Sequence, residues 1–451
     1  MINFIKFQDW GEIWRTIPFV AVEGLIGQHG FRSTIVTGQN GSYKSTMLRE
    51  LVAGVIAPKS TSATVNVSDG LSMKHVICAS GSVADRFPSK EKSGGGSTEF
   101  ATEQYAYIGQ RVGANLLSKK RPFETVLIFA LDGNKSARYE WPFYKKAHEF
   151  ANIIPELEVS VQVRKEKARR SVNLLSRVEQ GFAVESLRGS LNIDDFRASQ
   201  HISESVAFSV LNEFDEHVFK DFSEFMRSSK STFVLNMGSG GIRCKTASND
   251  VVRLGFMLDI FSLRDVKVQR VGVQQPFSIF ELSSGEYHMY TNLMGLGFGV
   301  EEGSLMLLDE PDNSLHPQWQ RDFMAAVHGI CQVGMKSGHL IVCTHSPLIV
   351  GAALEGSTIV DLSNDEPIVS VASFGASSDD ILLEQFGITS SRNRIVVDVV
   401  QRAVSIIEKD GFEHPDLLAL TDELMSIKSA LKSEDPLVEV IEAILGASGD
   451  D

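Results

Sequence analysis

Gly38-Gln39-Asn40-Gly41-Ser42-Tyr43-Lys44-Ser45-Thr46 follows the β-branched pair Ile35-Val36 and runs into the helix-prone stretch Met47 to Val55. A glycine-bearing loop between a strand and a helix aims successive backbone N–H groups, and the positive end of the helix, at one point. That arrangement suits a polyphosphate. Lys44 would then reach the β- and γ-phosphates, and Ser45 would hold Mg²⁺. One position departs from the usual loop: Tyr43 stands where a glycine is expected before the lysine. A side chain there crowds a backbone that passes close to the phosphates and calls for an unusual φ. The alternative is an ordinary strand-turn-helix with a chance Gly-x-x-Gly, and the rest of the chain decides between the two.

Ser304-Leu305-Met306-Leu307-Leu308-Asp309-Glu310-Pro311 reads as an apolar strand ending in two adjacent carboxylates. A parallel strand buried on both faces is a continuous apolar run, and ligands sit at the carboxyl ends of such strands. Asp309 is placed to organise a Mg²⁺ shell and Glu310 to polarise an attacking water. Upstream, Leu282-Ser283-Ser284-Gly285-Glu286 offers small donors at a helix start, either to an anion or simply as a cap. Cys343-Thr344-His345-Ser346-Pro347 follows the apolar run His339 to Val342. A lone histidine in that place is more often structural than catalytic.

Taken in chain order, these four elements resemble the motifs of the ATP-binding-cassette ATPases. The Ser-Ser-Gly-Glu form is similar to the SMC, RecF and OLD (overcoming lysogenisation defect) branch rather than to transporters. The resemblance spans roughly residues 20–130 and 270–365. It implies an α/β fold: an ABC-type P-loop ATPase head with a mixed sheet, a helical insertion between P-loop and signature motif, and a helical C-terminal tail. It implies ATP and Mg²⁺ as cofactors, with nucleotide on Gly38 to Thr46, metal on Ser45 and Asp309, and catalysis by Lys44, Glu310 and the γ-phosphate-sensing His345. The signature Leu282 to Glu286 would cap nucleotide bound in a second subunit, and Asn313, Ser314 and Leu315 would cross the dimer interface. Asp312 to Pro317 resembles the Leu-His-Pro form of OLD-like ATPases, although His316 could sit in a simple turn. A metal-coupling glutamine is also implied, with Gln110 as candidate. Asp85-Arg86-Phe87-Pro88 resembles a short motif of defence-type ATPases, and physically reads as an anchored turn.

The chain has 451 residues, of which 43% are hydrophobic and 22% charged, the composition of an ordinary globular protein. No run approaches the ~18 uninterrupted apolar residues of a membrane span. Met1 to Trp10 carries Lys6 and Asp9 instead of a basic-then-apolar signal pattern. A cytoplasmic address is expected. Cys78, Cys244, Cys331 and Cys343 form no Cys-x-x-Cys pair, which argues against a zinc site or a disulfide framework. The net charge of −14 excludes coating of nucleic acid through the whole-protein field. Any polyanion must be met locally.

Four regions are expected: 1–140, the N-terminal half of the head; 141–230, a helical insertion; 231–375, the C-terminal half; and 376–451, a helical tail. Ser33 to Val36, His75 to Cys78 and Glu124 to Ala130 read as β-like, and Ser93 to Ser97 as a flexible loop. Leu211, Phe214, Val218, Phe222 and Phe225 recur at steps of three and four, which lays an apolar stripe along one helix. Gly238 to Gly241 reads as a hairpin turn. Arg164, Lys165, Lys167, Arg169 and Arg170 could contact nucleic-acid phosphates or form a solvated helix face.

If the resemblance holds, ATP joins two heads, alone or within a higher oligomer, and hydrolysis releases them. The chain shows no nuclease motif of its own. One expected role is therefore the ATPase of an anti-phage defence pair, similar to Septu-type systems, controlling a separately encoded nuclease or toxin. The other is a RecF- or SMC-like repair or chromosome-maintenance clamp. A transporter subunit is disfavoured, because the interval from Lys44 to Leu282 is roughly twice what compact transporter heads need by family resemblance.

Overall fold

The computed structural model describes residues 1–21, 30–59, 61–68, 73, 75–82, 84–88, 104–113, 116–164, 204–228, 231–364, 366–372, 394–411, 414–431 and 436–447. An N-terminal sheet pairs β1 (Ile2–Gln8) antiparallel with β2 (Trp14–Pro18) and β4 (Thr64–Val67). The central sheet is built from β3 (Arg32–Thr37), β5 (His75–Ser80), β6 (Tyr105–Ile108), β14 (Ser304–Asp309), β15 (His339–Cys343), β16 (Thr358–Asp361) and β17 (Ile368–Val371). Its order is β17-β16-β3-β15-β14-β5-β6, parallel throughout except for β17. A small hairpin joins β7 (Arg111–Gly113) to β8 (Leu116–Leu117).

Side chains alternate across these parallel strands with a period of two, and each face enters a different core. Ile77, Ala79, Met306, Leu308, Leu340 and Val342 join one hydrophobic cluster, whereas Val76, Cys78, Leu305, Leu307, Ile341 and Cys343 join another. The second cluster also takes Met47, Leu48, Leu51 and Val52 of α1 (Lys44–Ile56), together with Ile2, Ile5 and Phe7 of β1. On the opposite face lie α2 (Arg121–Ala130) and α3 (Pro142–Phe150). Burying an aliphatic side chain of this size stabilises the fold by about 1.5–3 kcal/mol. Four in succession, Leu305 to Leu308, therefore anchor β14 and with it the carboxylates at its end.

A second, antiparallel sheet has the order β11-β10-β9-β12-β13, from β9 (Leu157–Val163), β10 (Thr232–Gly238), β11 (Gly241–Cys244), β12 (Phe261–Val268) and β13 (Phe277–Ser278). Gly238 and Gly241 pair across the β10–β11 hairpin, as their spacing suggests. β9 pairs with both β10 and β12, so a boundary at 230 runs through one sheet.

Two local readings are corrected. Glu124–Ala130 belongs to helix α2: Pro122 starts it, and Phe123, Val126, Leu127 and Ala130 are buried at steps of three, one and three, a helical and not a strand spacing. The stripe from Leu211 to Phe225 is split between α4 (Glu204–Glu213) and α5 (Glu216–Ser228). Asp215 causes the break, its carboxylate accepting from the Val218 N–H at 3.0 Å as the second helix begins.

Further helices among the described residues are α6 (Asn249–Met257), α7 (Ser284–Gly299), α8 (Pro317–Gly334) and the single turn α9 (Pro347–Val350). The tail forms α10 (Arg394–Asp410), α11 (Pro415–Ala419), α12 (Thr421–Ala430) and α13 (Pro436–Ala447), which share a separate core of Val396, Val399, Leu424, Ile427 and Ile441. All four cysteines are free thiols. Among the described residues no helix is long and apolar enough to cross a membrane. Ser93 to Ser97, Lys165, Lys167, Arg169 and Arg170 lie outside the described residues.

Candidate functional site

The loop at Gly38–Thr46 joins β3 to α1 at the carboxyl edge of the central sheet, two strands from β14. Lys44 is 5% exposed, and its Nζ donates to the carbonyls of Gly38 (3.0 Å) and Gln39 (3.2 Å). The same ammonium lies 2.9 Å from His345 Nε2 and 3.9 Å from Glu310 Oε1. Burial of the amine pushes its pKa down, against the opposing pull of Cys343, Glu310, Asp309 and Asp312.

His345 Nε2 is also 2.8 Å from Glu310 Oε1. One ring nitrogen cannot accept from an ammonium and donate to a carboxylate at once. His345 therefore stands at a junction, able to serve Lys44 in one tautomer and Glu310 in the other. Two chain segments far apart in sequence meet here because β15 lies between β3 and β14.

Asp309 closes β14 in register with Cys343 and Ser80. Its side chain is buried, and Oδ1 has no hydrogen-bond partner. Burial raises the carboxyl to about 7, while a hydrogen bond with Ser45 pulls it down. A buried carboxylate oxygen without a partner, beside a serine hydroxyl, is a hard-oxygen donor pair that fits Mg²⁺.

Glu310 adopts φ +50°, a left-handed conformation that costs a non-glycine residue about 1–3 kcal/mol. Its backbone is held there from two sides. The Glu310 N–H donates to the Cys343 carbonyl at 2.8 Å, and a Cβ at Gly81 would stand 2.0 Å from the Glu310 carbonyl oxygen. Only glycine permits that approach. The Gly81 N–H donates to the Asp309 carbonyl at 2.9 Å. Ser80-Gly81 is thus the segment that flanks the carboxylates, a role that no polar motif in the sequence announces. Gln110 follows β6, one strand further out. Its carbonyl accepts from the Ser118 N–H, and no hydrogen bond or ion pair joins it to Lys44, Asp309 or Glu310.

Tyr43 is the residue that the loop pattern marks as unusual, and it occupies the left-handed region at φ +65°. Its ring lies 5.7 Å from Trp10, and the Arg15 guanidinium sits 4.8 Å over it. Arg15 is in turn paired with Asp9 at 3.0 Å. The β1–β2 hairpin thereby braces the loop, with a cation–π and an aromatic contact offsetting strain of similar size, about 1–2 kcal/mol. Replacing Tyr43 by Gly removes strain and brace together, and is expected to shift stability by less than about 1 kcal/mol. Tyr43→Val keeps the strain, adds a β-branch and loses the brace, and is expected to cost about 2 kcal/mol or more, read by thermal unfolding of the two variants side by side.

The pentapeptide Leu282 to Glu286 starts α7. Ser283 is its N-cap in a capping box with Glu286, and Glu286 is also paired with Arg270 at 2.8 Å. Although burial raises the Glu286 carboxyl, hydrogen bonds from Arg270 and Ser283 hold it below its usual value. Ser283 and Ser284 face solvent, whereas Leu282 and Gly285 are buried. A Cβ on Gly285 would meet the Ser314 carbonyl at 2.4 Å, so the 312–316 loop packs directly on this helix start. The Leu315 carbonyl accepts from Gln320 Nε2 at 3.2 Å, Gln320 Oε1 accepts from the Ser346 hydroxyl, and the Thr344 hydroxyl donates to Asp312. His316 caps α8 by accepting from the Gln318 N–H at 3.3 Å. The pentapeptide, the loop after β14 and the loop after β15 form one connected network.

A cleft of about 790 Å³ opens beside the loop, lined among others by Trp14, Arg15, Gln39, Asn40, Tyr43 and Asn364. Trp10, Trp14 and Arg15 carried no signal in the sequence, since their role arises only once the hairpin folds onto the loop. Arg164, the described member of the basic cluster, pairs with Asp259 at 2.7 Å.

Residues 183–351 match the family model described as "AAA domain, putative AbiEii toxin, Type IV TA system". This segment contains Leu282–Glu286, Asp309, Glu310 and His345, and leaves the Gly38–Thr46 loop outside. No curated protein matches the chain at a significant level. Among solved structures it is similar to the Smc head domain with an extended coiled coil bound to the C-terminal domain of ScpA from Pyrococcus furiosus, at 14% identity, covering 82% of this chain and 96% of that one, with a TM-score of 0.32. It is also similar to an SmcHead bound to the C-winged helix domain of ScpA, at 13% identity, covering 83% and 98%, with a TM-score of 0.30. β3, the phosphate-type loop and α1 are thus set beside an Asp-Glu strand in one mostly parallel sheet, the arrangement of a P-loop ATPase fold, with the Asp-Glu strand inside the segment that matches the AAA family model.

Proposed function

We propose that the chain binds and hydrolyses ATP as the ATPase subunit of an anti-phage defence complex, in which ATP-dependent pairing of two heads controls a separately encoded nuclease or toxin. The observation that carries the ATPase reading is the convergence of Lys44, His345 and Glu310 within 4 Å at the mouth of the loop. On this reading Lys44 and the loop N–H groups bind the β- and γ-phosphates, and Glu310 accepts a proton from the attacking water. His345 exchanges between Lys44 and Glu310 as the γ-phosphate comes and goes. Ser45 and Asp309 would hold Mg²⁺, which when bound neutralises phosphate charge. The cleft beside Tyr43 has room for the base and sugar.

Exposed Ser283 and Ser284, at a helix start tied to the 312–316 loop, support a role in capping nucleotide on a second copy. The matching family model is described as an AAA domain and putative AbiEii toxin of a Type IV toxin–antitoxin system, which supports a place in a system that contains a toxin. The clamp alternative rests chiefly on residues 165–170, and Arg164 is committed to Asp259.

The test is association. With a slowly hydrolysed ATP analogue and Mg²⁺, light scattering coupled to size exclusion should register a doubled mass, and Ser284→Arg, a substitution at an exposed position of the α7 start, should abolish the doubling while leaving nucleotide binding intact. A mass unchanged by ATP would sink the paired-head mechanism. Co-purification from the native host should then bring down a nuclease or toxin. Recovery of replication and repair proteins instead would favour the clamp.

A further inference from the structure

The segment after β5 is built to present one side chain. Asp85 is 4% exposed, and its carboxylate accepts from the Tyr107 hydroxyl (2.6 Å), from Arg111 (3.2 Å) and from the Phe87 N–H (3.0 Å). Phe87 is 1% exposed and enters the core shared with α1, packing near the Tyr107 ring. Between these two buried anchors Arg86 is exposed, and its guanidinium reaches Thr46 Oγ1 at 3.3 Å. Thr46 lies in the first turn of α1, directly after Lys44 and Ser45. The segment begins at Ser80-Gly81, against Asp309 and Glu310. It therefore bridges the carboxylate end of β14 and the start of the phosphate-loop helix.

We propose that Arg86 is a nucleotide-binding residue that places its guanidinium on a phosphate held at the first turn of α1. The assignment rests on the ATPase reading above and deepens it. A guanidinium offers five donors in a planar fork, and the contact with Thr46 engages one nitrogen. On the proposed reading Glu310 and His345 attend the γ-phosphate, whereas Arg86 is tied to Thr46, which follows Lys44 and Ser45 along α1, so the phosphate assigned to it is one that ADP shares with ATP. The anchors on Asp85 and Phe87 fix the backbone before nucleotide arrives, which reduces the ordering cost of the contact.

Calorimetric titration of ATP and ADP into the full chain tests this, using wild type, Arg86→Ala, Arg86→Lys and Lys44→Ala. Arg86→Ala should weaken both nucleotides by a similar factor, about 10- to 100-fold for a lost charge-assisted pair, and raise KM far more than it lowers kcat. Arg86→Lys should recover part of the affinity. Because Arg86 is exposed, its melting temperature without nucleotide should stay near that of wild type. Wild-type affinity in Arg86→Ala, with binding lost in Lys44→Ala, overturns this assignment alone. A lowered melting temperature with unchanged affinity does the same, by reducing Arg86 to a structural tie. Failure of the wild-type chain to bind either nucleotide overturns the ATPase reading and this inference with it.

Discussion

Glu310→Gln should bind ATP as tightly as the native chain and hydrolyse it about 10²- to 10⁴-fold more slowly, the range expected when a general base is removed. The substitution conserves volume and keeps an oxygen within reach of His345, which lies 2.8 Å from the carboxylate. The backbone at φ +50° is imposed by the Cys343 carbonyl and by the approach of Gly81, and an amide changes neither. What disappears is the ability to accept a proton. If ATP joins two heads and hydrolysis parts them, the variant should accumulate as an ATP-bound dimer, visible as a stable doubled mass after Mg²⁺ and ATP are added. Hydrolysis at the native rate would remove Glu310 from the chemistry and leave His345 or another group to activate water.

That prediction rests on a pair of residues legible in the sequence, because a run of four large apolar residues ending in Asp-Glu admits few structures besides a buried parallel strand. The strained loop was legible for a related reason: the usual glycine before the lysine implies an unusual φ at position 43, and Tyr43 takes φ +65° in spite of its side chain. Where sequence reading failed, the competing signals were local. Glu124–Ala130 is rich in β-branched and aromatic residues, but Pro122 and the spacing of its buried positions favour the helix. A single Asp215 was enough to divide a continuous apolar stripe into two helices.

The features that escaped altogether are long-range. Ser80-Gly81 flanks the carboxylates because β5, and not β6, pairs with β14, and strand order is not written in any one segment. Gln110, implied only by the family resemblance, follows β6, and its distance from the carboxylates of β14 depends on strand order in the same way. Trp10 and Arg15 brace Tyr43 only because a hairpin folds across the loop. A sequence reports which groups are present, whereas which of them meet depends on pairings that span most of its length.

Lys44→Ala should lose ATP affinity by about 10²-fold or more, since one buried ammonium is expected to serve two phosphates through charge-assisted bonds of about 1.5–3 kcal/mol each. Its effect on the nucleotide-free protein should have the opposite sign. Burial pushes the Lys44 pKa down, which means that the charged amine is less favourably placed in the folded chain than in water. The carbonyls of Gly38 and Gln39 and the nearby carboxylates recover only part of that cost. Without nucleotide, the alanine variant should therefore melt at the native temperature or slightly above it, while the rise in melting temperature that ATP gives the native chain should vanish. A variant that unfolds early yet still binds ATP would make Lys44 a structural residue. On the proposed function, a chain of net charge −14 would attract its polyanion through a lysine held at a cost within the loop, and the sign of the surrounding surface would have little bearing on it.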